Sequence, residues 1–488
     1  MKVQIDNFGP IHHFECDLDK DLHLILGGNN IGKSYAITLV YLLLKSFIEA
    51  GEKFDPAEDI GYAMGVGTAA AMGNDPFEHV FEQTGGEGDA TKRVAVFRTH
   101  ALLKEGFLKP FQRHFEGTYG SIHAVGNRFS GEEPMLKLFF DKFEIDIGTE
   151  GDAFELKRLY VDTDMESFYK EIGEGLGEIG EGMVTVLAKF GVNIGKREKF
   201  QVEFPLVAWM LYRAVLSQVL TKIHAIHYLP ASRSGFYAAL SAFGQIIAEL
   251  SKSRSLLDSR IQLPGIAVSV SDYFLQLSQI DPNKKREQDD PIQCIADDIE
   301  NHILQGKVEF DKETRKLFYM PDGTGGLRLD MDAASSMVSE LSPIVSFLRH
   351  VVEKPPSLPK ELQEKGVSPK PLLFIEEPEA HLHPENQVRL MAAFSALAKA
   401  GVKVMLTSHS DFLFEKLNNL ILEKEIDTAT VSATLFKQTD KGSEALPLAM
   451  DELGTEDDNF IDTTEGLYDE KVEIIDRMNR EGDEGNAG

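Results

Sequence analysis

The chain is poor in cysteine, tryptophan and positive charge. Its 488 residues include two cysteines and one tryptophan. Cys16 and Cys294 lie far apart without a metal-type spacing, which excludes a disulfide scaffold and fits a reducing cytosol. Long apolar runs are missing as well: no stretch of about 18 apolar residues occurs. The most apolar helical segment, FPLVAWMLYRAVLSQVLTKI (204–223), carries Arg213, Gln218 and Lys222, so it reads as a buried helix and no membrane partner is expected. The opening MKVQIDNFGPIHHF reads as a strand with a turn rather than a secretory leader, and a cytoplasmic location is expected. Lys and Arg total 50 against 79 Asp and Glu, a net charge of −29. Such a surface repels phosphate backbones unless basic residues gather in one patch. The longest basic cluster, PNKKR (282–286), is followed at once by acidic residues. Direct nucleic-acid binding is therefore disfavoured, and a basic protein partner suits the surface at least as well.

What is present is globular. The hydrophobic share is 42% and the charged share 26%. The length allows two or three domains, or one domain with a large insertion. LHLILGG (22–28) reads as a buried strand running into glycines, and GKSYAITLVYLLLKSF (32–47) as a helix apolar on more than one face. The following region is polar and acidic, with strand signals such as MLKLFFDKFEIDI (135–147) and seven glycines within 171–195, which excludes a long coiled coil there. Residues 204–250, which include IHAIHYLPASRSG (223–235), return to apolar helix and strand. GKVEFDKETRKLFYMPDG (306–323) alternates about a turn as a hairpin does, and a helix is expected over 331–353. The strand PLLFIEE (371–377), a helix (385–400), the strand KVMLTSH (403–409), a helix (411–423) and two or three strands follow. The tail 480–488 reads as disordered.

Chemistry concentrates in three blocks. GGNNIGKS (27–34) fits G-x-x-x-x-G-K-[ST] between an apolar strand and an apolar helix, the context a phosphate-binding loop requires. Gly27, Gly28 and Gly32 let the backbone curl so that N–H groups of the stretch Gly27, Gly28, Asn29, Asn30, Ile31, Gly32 point inward. The helix start, with Tyr35 in its first turn, adds unpaired N–H groups and a positive dipole end. Lys33 can reach the β- and γ-phosphates of ATP, and the Ser34 hydroxyl can ligate Mg²⁺. The plain alternative is a glycine turn followed by a solvated Lys-Ser.

A phosphate-binding loop also needs a carboxylate at the end of a neighbouring strand, and LLFIEE supplies two. Glu376 is the candidate Mg²⁺ holder, through water, and Glu377 the residue that orients and polarises the attacking water. Solvated strand-end carboxylates are the bland alternative. His381 and His383 could share a zinc ion, but Pro378 and Pro384 break strand geometry, and a loop at a subunit contact is the other reading. VMLTSHS ends a strand in His409, placed to sense the γ-phosphate or else to sit in a helix cap. Asp411 is the candidate cap of the next helix.

GGNNIGKS, LLFIEEPEAHLHP and VMLTSHS, in that order, resemble the ABC-type ATPases of the RecF/SMC/OLD group, in particular compact prokaryotic members often called AAA-type. In that family a glutamate commonly takes the place of the Walker B aspartate, as Glu376 does here. PEAHLHP is similar to the D-loop segment and TSHS to the switch histidine. ASSMVSELSP (334–343) is similar to the signature helix, with Ser335 or Ser336 at the signature serine; Met337 and Val338 stand where glycines are common. YLPASRSG (228–235) resembles a segment near the Q-loop.

The resemblance implies an α/β fold: an ABC-type P-loop core of mixed sheet plus helices, split by a long, mainly helical insertion. The expected parts are 1–50 (first core part with the P-loop), 51–203 (insertion or regulatory region), 204–330 (helical and hairpin region), 331–470 (second core part) and 471–488 (acidic tail). It further implies ATP hydrolysis with Mg²⁺ and a head-to-tail homodimer or higher oligomer, ATP lying between the P-loop of one subunit and the signature helix of the other. Only 79 residues follow His409, too few for a Toprim nuclease domain, so effector chemistry is expected in a partner chain. The chain resembles the ATPase partners of Septu- or PARIS-type anti-phage systems, sensors or scaffolds that hold an effector encoded nearby. The alternative is a RecF-like repair ATPase that binds DNA directly.

Overall fold

The computed structural model describes residues 1–53, 81–84, 93–96, 103–161, 212–237, 266–281, 286, 289–357, 359–360, 367–451, 454–455 and 468–475. The glycine-rich stretch 171–195, residues 204–211 of the apolar segment 204–223, most of PNKKR and the tail 480–488 lie outside them.

Apolar strands dominate both ends of the chain, and they meet in one 13-stranded sheet. Its strands are β1 (Lys2–Phe8), β2 (Ile11–Asp17), β3 (Leu22–Gly27), β4 (Phe81–Thr84), β5 (Arg93–Val96), β6 (Met135–Phe139), β7 (Phe143–Glu150), β8 (Ala153–Val161) and β9 (Ile223–Leu229). The hairpin β10 (Gly306–Asp311) and β11 (Lys316–Pro321) forms a separate small sheet with β12 (Leu329–Asp330). The large sheet is completed by β13 (Lys370–Glu376), β14 (Lys403–Ser408), β15 (Val431–Thr439) and β16 (Gly442–Pro447). The order is β4-β5-β8-β7-β6-β1-β2-β16-β15-β3-β14-β13-β9.

One half of this sheet is parallel. β15, β3, β14, β13 and β9 run in one direction, with Leu26 opposite Ser408 and Thr407 opposite Glu376. That register aligns the C-terminal ends of β3, β14 and β13, the edge where open α/β sheets place ligands. Burial explains the continuous apolar runs of these strands. In β13, Leu372 and Phe374 enter the core on one face, Leu373 and Ile375 the core on the other. The first face is covered by the helix Lys33–Glu52, packed in turn under the helix Lys109–Tyr119; the helix Val268–Ser278 touches both but buries Val270, Tyr273, Phe274 and Leu277 in the second core. This helix is long and apolar enough to cross a membrane by length and composition, but most of it is buried within the fold. The second face is covered by the helices Pro291–Ile299, Ser336–Ser346, Pro384–Lys399 and Asp411–Leu422.

The other half is antiparallel, and the described part of the expected, mainly helical insertion carries strands as well as helix. The described part of 51–203 adds β4 to β8 to the same sheet, through pairing of β6 with β1, alongside the helix Lys109–Tyr119. The reason is the period-two alternation of MLKLF and FEIDI, which suits a strand with one buried face. MLKLFFDKFEIDI is a hairpin, bent at Asp141–Lys142, rather than one strand. The expected helix over 331–353 begins only at Ser336. Asp330 caps a short 3-10 turn, Met331–Ala333, and Ser335 starts the α-helix by capping it.

Candidate active site

The loop after β3 is shaped by backbone that only small or special residues tolerate. Gly27 has φ +140° and Gly32 φ +101°. A Cβ on Gly27 would lie 2.5 Å from Ile31 Cδ1 and 2.9 Å from the Phe436 carbonyl; one on Gly32 would lie 2.8 Å from Ile11 Cγ1. Asn30 also takes a left-handed φ of +60°. A Cβ on Gly28 would meet only open space, so that glycine is not required by packing within the chain. The loop is pinned from outside by Ser443, a fully buried serine whose hydroxyl donates to the carbonyls of Ile31 (2.5 Å) and Pro10 (3.1 Å).

The helix that follows is left without a side-chain cap at Gly32. Side chains cap the helices at Asp290, Ser335, His383 and Ser410. At Lys33–Glu52 the first-turn N–H groups are therefore available to an anionic ligand. Tyr35, in that turn, is partly exposed and stacks on Tyr119 at 5.3 Å.

Lys33 is buried, and its Nζ donates to the carbonyls of Gly27 (2.9 Å) and Gly28 (2.7 Å) and to His409 Nε2 (3.0 Å). Burial lowers its pKa to about 8, against the opposing pull of Glu377 and Glu379. His409 Nε2 is also 3.6 Å from Glu377 Oε1. His409 holds the Glu377 carboxyl below its usual range, with Lys33 and Arg233 adding to the effect. One imidazole nitrogen thus stands between the P-loop cation and the candidate water-activating carboxylate. Glu379 fixes this histidine: its Oε1 accepts from the His409 N–H (2.6 Å) and the Ser408 hydroxyl (2.8 Å).

Glu376 takes two hydroxyls. Ser34 Oγ donates to its Oε2 at 2.9 Å, and Tyr228, itself bonded to Thr38 (2.8 Å), donates to Oε1. Burial raises the carboxyl pKa, and the two hydroxyl bonds oppose that rise. The pair Ser34 and Glu376 fits a magnesium ion, because both donors are hard oxygens.

Ser335 and Ser336 are not brought to this cluster. Both are exposed at the start of the helix Ser336–Ser346, with Ser335 Oγ accepting from the Val338 N–H. The bulky neighbours turn away: Val338 is buried and Met337 Sδ meets the Asn386 amide. His383 caps the helix Pro384–Lys399, and His381 is exposed with φ +63°. The cap before Asp411–Leu422 is Ser410, not Asp411: its Oγ accepts from the Leu413 N–H, while Asp411 lies in the first turn.

Residues 237–414 match the family model described as the AAA ATPase domain. This stretch is similar to an ATPase domain of that type. The matched stretch starts after the P-loop and holds Ser335, Ser336, Glu376, Glu377 and His409. Among solved structures, the SMC head domain from Thermotoga maritima is similar at 9% identity and a TM-score of 0.34, over 92% of this chain and 98% of that one. An SmcHead bound to the C-winged helix domain of ScpA is similar at 10% identity and a TM-score of 0.33, over the same shares. A Smc head domain with an extended coiled coil, bound to the C-terminal domain of ScpA and derived from Pyrococcus furiosus, gives 10%, 0.30, 96% and 98%. No curated protein matches the chain.

Motif reading missed Tyr228, Arg233, Glu340, Glu379 and Ser443. For Tyr228 and Arg233 a signal existed, since both lie in YLPASRSG. Glu340 lies in ASSMVSELSP and Glu379 in PEAHLHP, so these two carried a signal as well; Ser443 carries no motif, and only folding brings it to the site.

Proposed function

We propose that this chain is an ATP-binding and ATP-hydrolysing switch of the ABC type, acting as the sensor or scaffold subunit of a two-component prokaryotic defence system. The observation that supports the ATPase reading is the meeting of Lys33, Ser34, Glu376, Glu377 and His409 at the aligned ends of β3, β13 and β14. The uncapped helix and the loop N–H groups take the phosphates, with Lys33 as the cation. Ser34 and Glu376 would hold Mg²⁺, which neutralises phosphate charge. Glu377, kept ionised by His409, orients a water and accepts its proton. His409 reports the state of the γ-phosphate through Lys33 and Glu377.

The exposed Ser335 and Ser336 would face the nucleotide of a second copy, in a head-to-tail homodimer or higher oligomer. ATP then shifts the closed state by its differential affinity for it. The scaffold part rests on charge. A surface at −29 suits a basic effector protein encoded nearby, and the exposed helix 468–475 offers Tyr468 and Val472 at helical spacing as apolar contacts.

The test is to purify the Glu377→Gln chain from its native operon in ATP and Mg²⁺. Its mass is followed by light scattering and its companions by mass spectrometry. An ATP-dependent increase in mass with a stoichiometric neighbour-encoded protein is expected. No change in mass with ATP would sink the switch. A preparation carrying only nucleic acid would replace the scaffold reading with that of a RecF-like ATPase.

A further inference from the structure

Arg233 has the largest fully buried side chain among the described residues. Its guanidinium lies between the end of β13 and the helix Ser336–Ser346. Nη1 donates to the carbonyls of Glu376 (2.7 Å) and Pro230 (3.1 Å), Nη2 to the carbonyl of Glu377 (3.3 Å), and Nε to that of Glu340 (3.1 Å). Its charge is met by Glu340, with Nη2 3.4 Å from Oε2. The Glu340 carboxylate is equally engaged. Oε2 accepts from the Arg233 N–H (3.0 Å), and Oε1 from the Ser234 N–H (3.2 Å) and hydroxyl (2.6 Å).

A buried ion pair is weak evidence of stability, because apolar residues of similar volume serve as well. It does impose a specific alignment, and here the two things aligned are informative. One is the peptide carrying both carboxylates. The other is the helix whose exposed start bears Ser335 and Ser336, about one turn before Glu340. Glu377 has φ +43°, a conformation that a residue with a side chain keeps only where its surroundings over-determine it. Its N–H is held by the Thr407 carbonyl (3.0 Å), and its carbonyl by Arg233.

We propose that Arg233 is a positioning residue that, through Glu340, couples engagement of Ser335 and Ser336 to the placement of the Glu377 carboxylate. The inference rests on the ATPase reading above. A partner's nucleotide pressing on the helix start moves Glu340; Arg233 passes the shift to the carbonyls of Glu376 and Glu377. Turnover then responds to assembly, while nucleotide affinity at the chain's own P-loop does not.

Arg233→Lys keeps the charge but cannot span the four carbonyls, and Glu340→Gln keeps the shape without the charge. In the full chain, affinity for a fluorescent ATP analogue and kcat are measured separately. Affinity within about threefold of the parent and a kcat lower by about 10²-fold are expected, the cost of misplacing a reacting group by ~1 Å. Ser336→Arg should lower kcat in the parent and have a smaller relative effect on the Arg233→Lys background. If Arg233→Lys does not fold, Glu340→Gln and Ser234→Ala test the same link from its far end. Unchanged kcat, equal losses of affinity and turnover with a lowered melting temperature, or effects of Ser336→Arg and Arg233→Lys that simply multiply would each overturn this inference alone. A parent chain that binds no ATP overturns the ATPase reading with it.

Discussion

The parallel and antiparallel halves of the large sheet solve different problems. In the parallel half, β3 and β14 are buried along their whole length, and the helices on both faces leave only the strand ends accessible. Polar side chains there collect at one edge, where Gly27, Glu376 and Ser408 end their strands together. In the antiparallel half, β6 alternates between buried and half-buried positions, and β8 between buried positions and half-buried or exposed ones. Hairpins end at both edges of such a sheet, so no shared edge of parallel ends arises. The lesson is that two-sided burial concentrates chemistry, whereas one-sided burial spreads polarity over a surface.

This contrast can be broken by substitution. Lys33→Ala should remove the buried cation and lower kcat/KM by about 10³-fold or more, read by phosphate release, because charge stabilisation is the main catalytic device in phosphoryl transfer. Glu377→Gln should lower kcat by about 10²- to 10⁴-fold, the range of a positioned proton acceptor, while ATP affinity stays within a few fold. A large loss of affinity instead would remove the distinction between binding and turnover groups.

In the antiparallel half the expected effect is on stability alone. Ile147→Ala, at a fully buried position of β7, should cost about 2–5 kcal/mol in denaturant unfolding, with ATP affinity of the folded protein unchanged. Lost affinity would show that the two halves are coupled.

Acid sharpens the comparison further. Burial lowers the pKa of His23 in β3 and His227 in β9 to about 4, below the ~6.5 of an unfolded histidine. The unfolded chain therefore binds more protons between these values. The stability these neutral histidines contribute is complete above pH ~6.5 and is lost as pH falls towards 4, at up to ~1.4 kcal/mol per pH unit for each group. His13, in the antiparallel half, has its pKa raised by its bond to Asp6, so its contribution has the opposite sign. Urea midpoints at pH 7.5 and 5.0 should show the loss, and His227→Leu should reduce it. The smallest effect is at a helix start: Ser410→Ala should cost about 1 kcal/mol as a lost cap and Asp411→Ala well under half of that.

Much of the site was legible because its parts are local. A P-loop is a strand, a turn and a helix within one short stretch, and its glycines are required by φ values that show in any sequence. Glu376, Glu377 and His409 were legible because apolar strands end abruptly in polar residues. The strands of the insertion were harder to read, because short alternating segments between turn residues resemble polar helix and loop.

The sequence by itself determined the chemistry available: a cation, a hydroxyl, two carboxylates and a histidine, each at the end of an apolar strand or the start of a helix. Tertiary structure alone decided which of them touch. Strand order and register placed β14 between β3 and β13, so that His409 meets both Lys33 and Glu377. It also brought Arg233 to Glu340 and Ser443 to the P-loop, across 107 and 412 residues of chain. Contacts that distant leave no local periodicity, because they arise from packing two faces of a sheet at once.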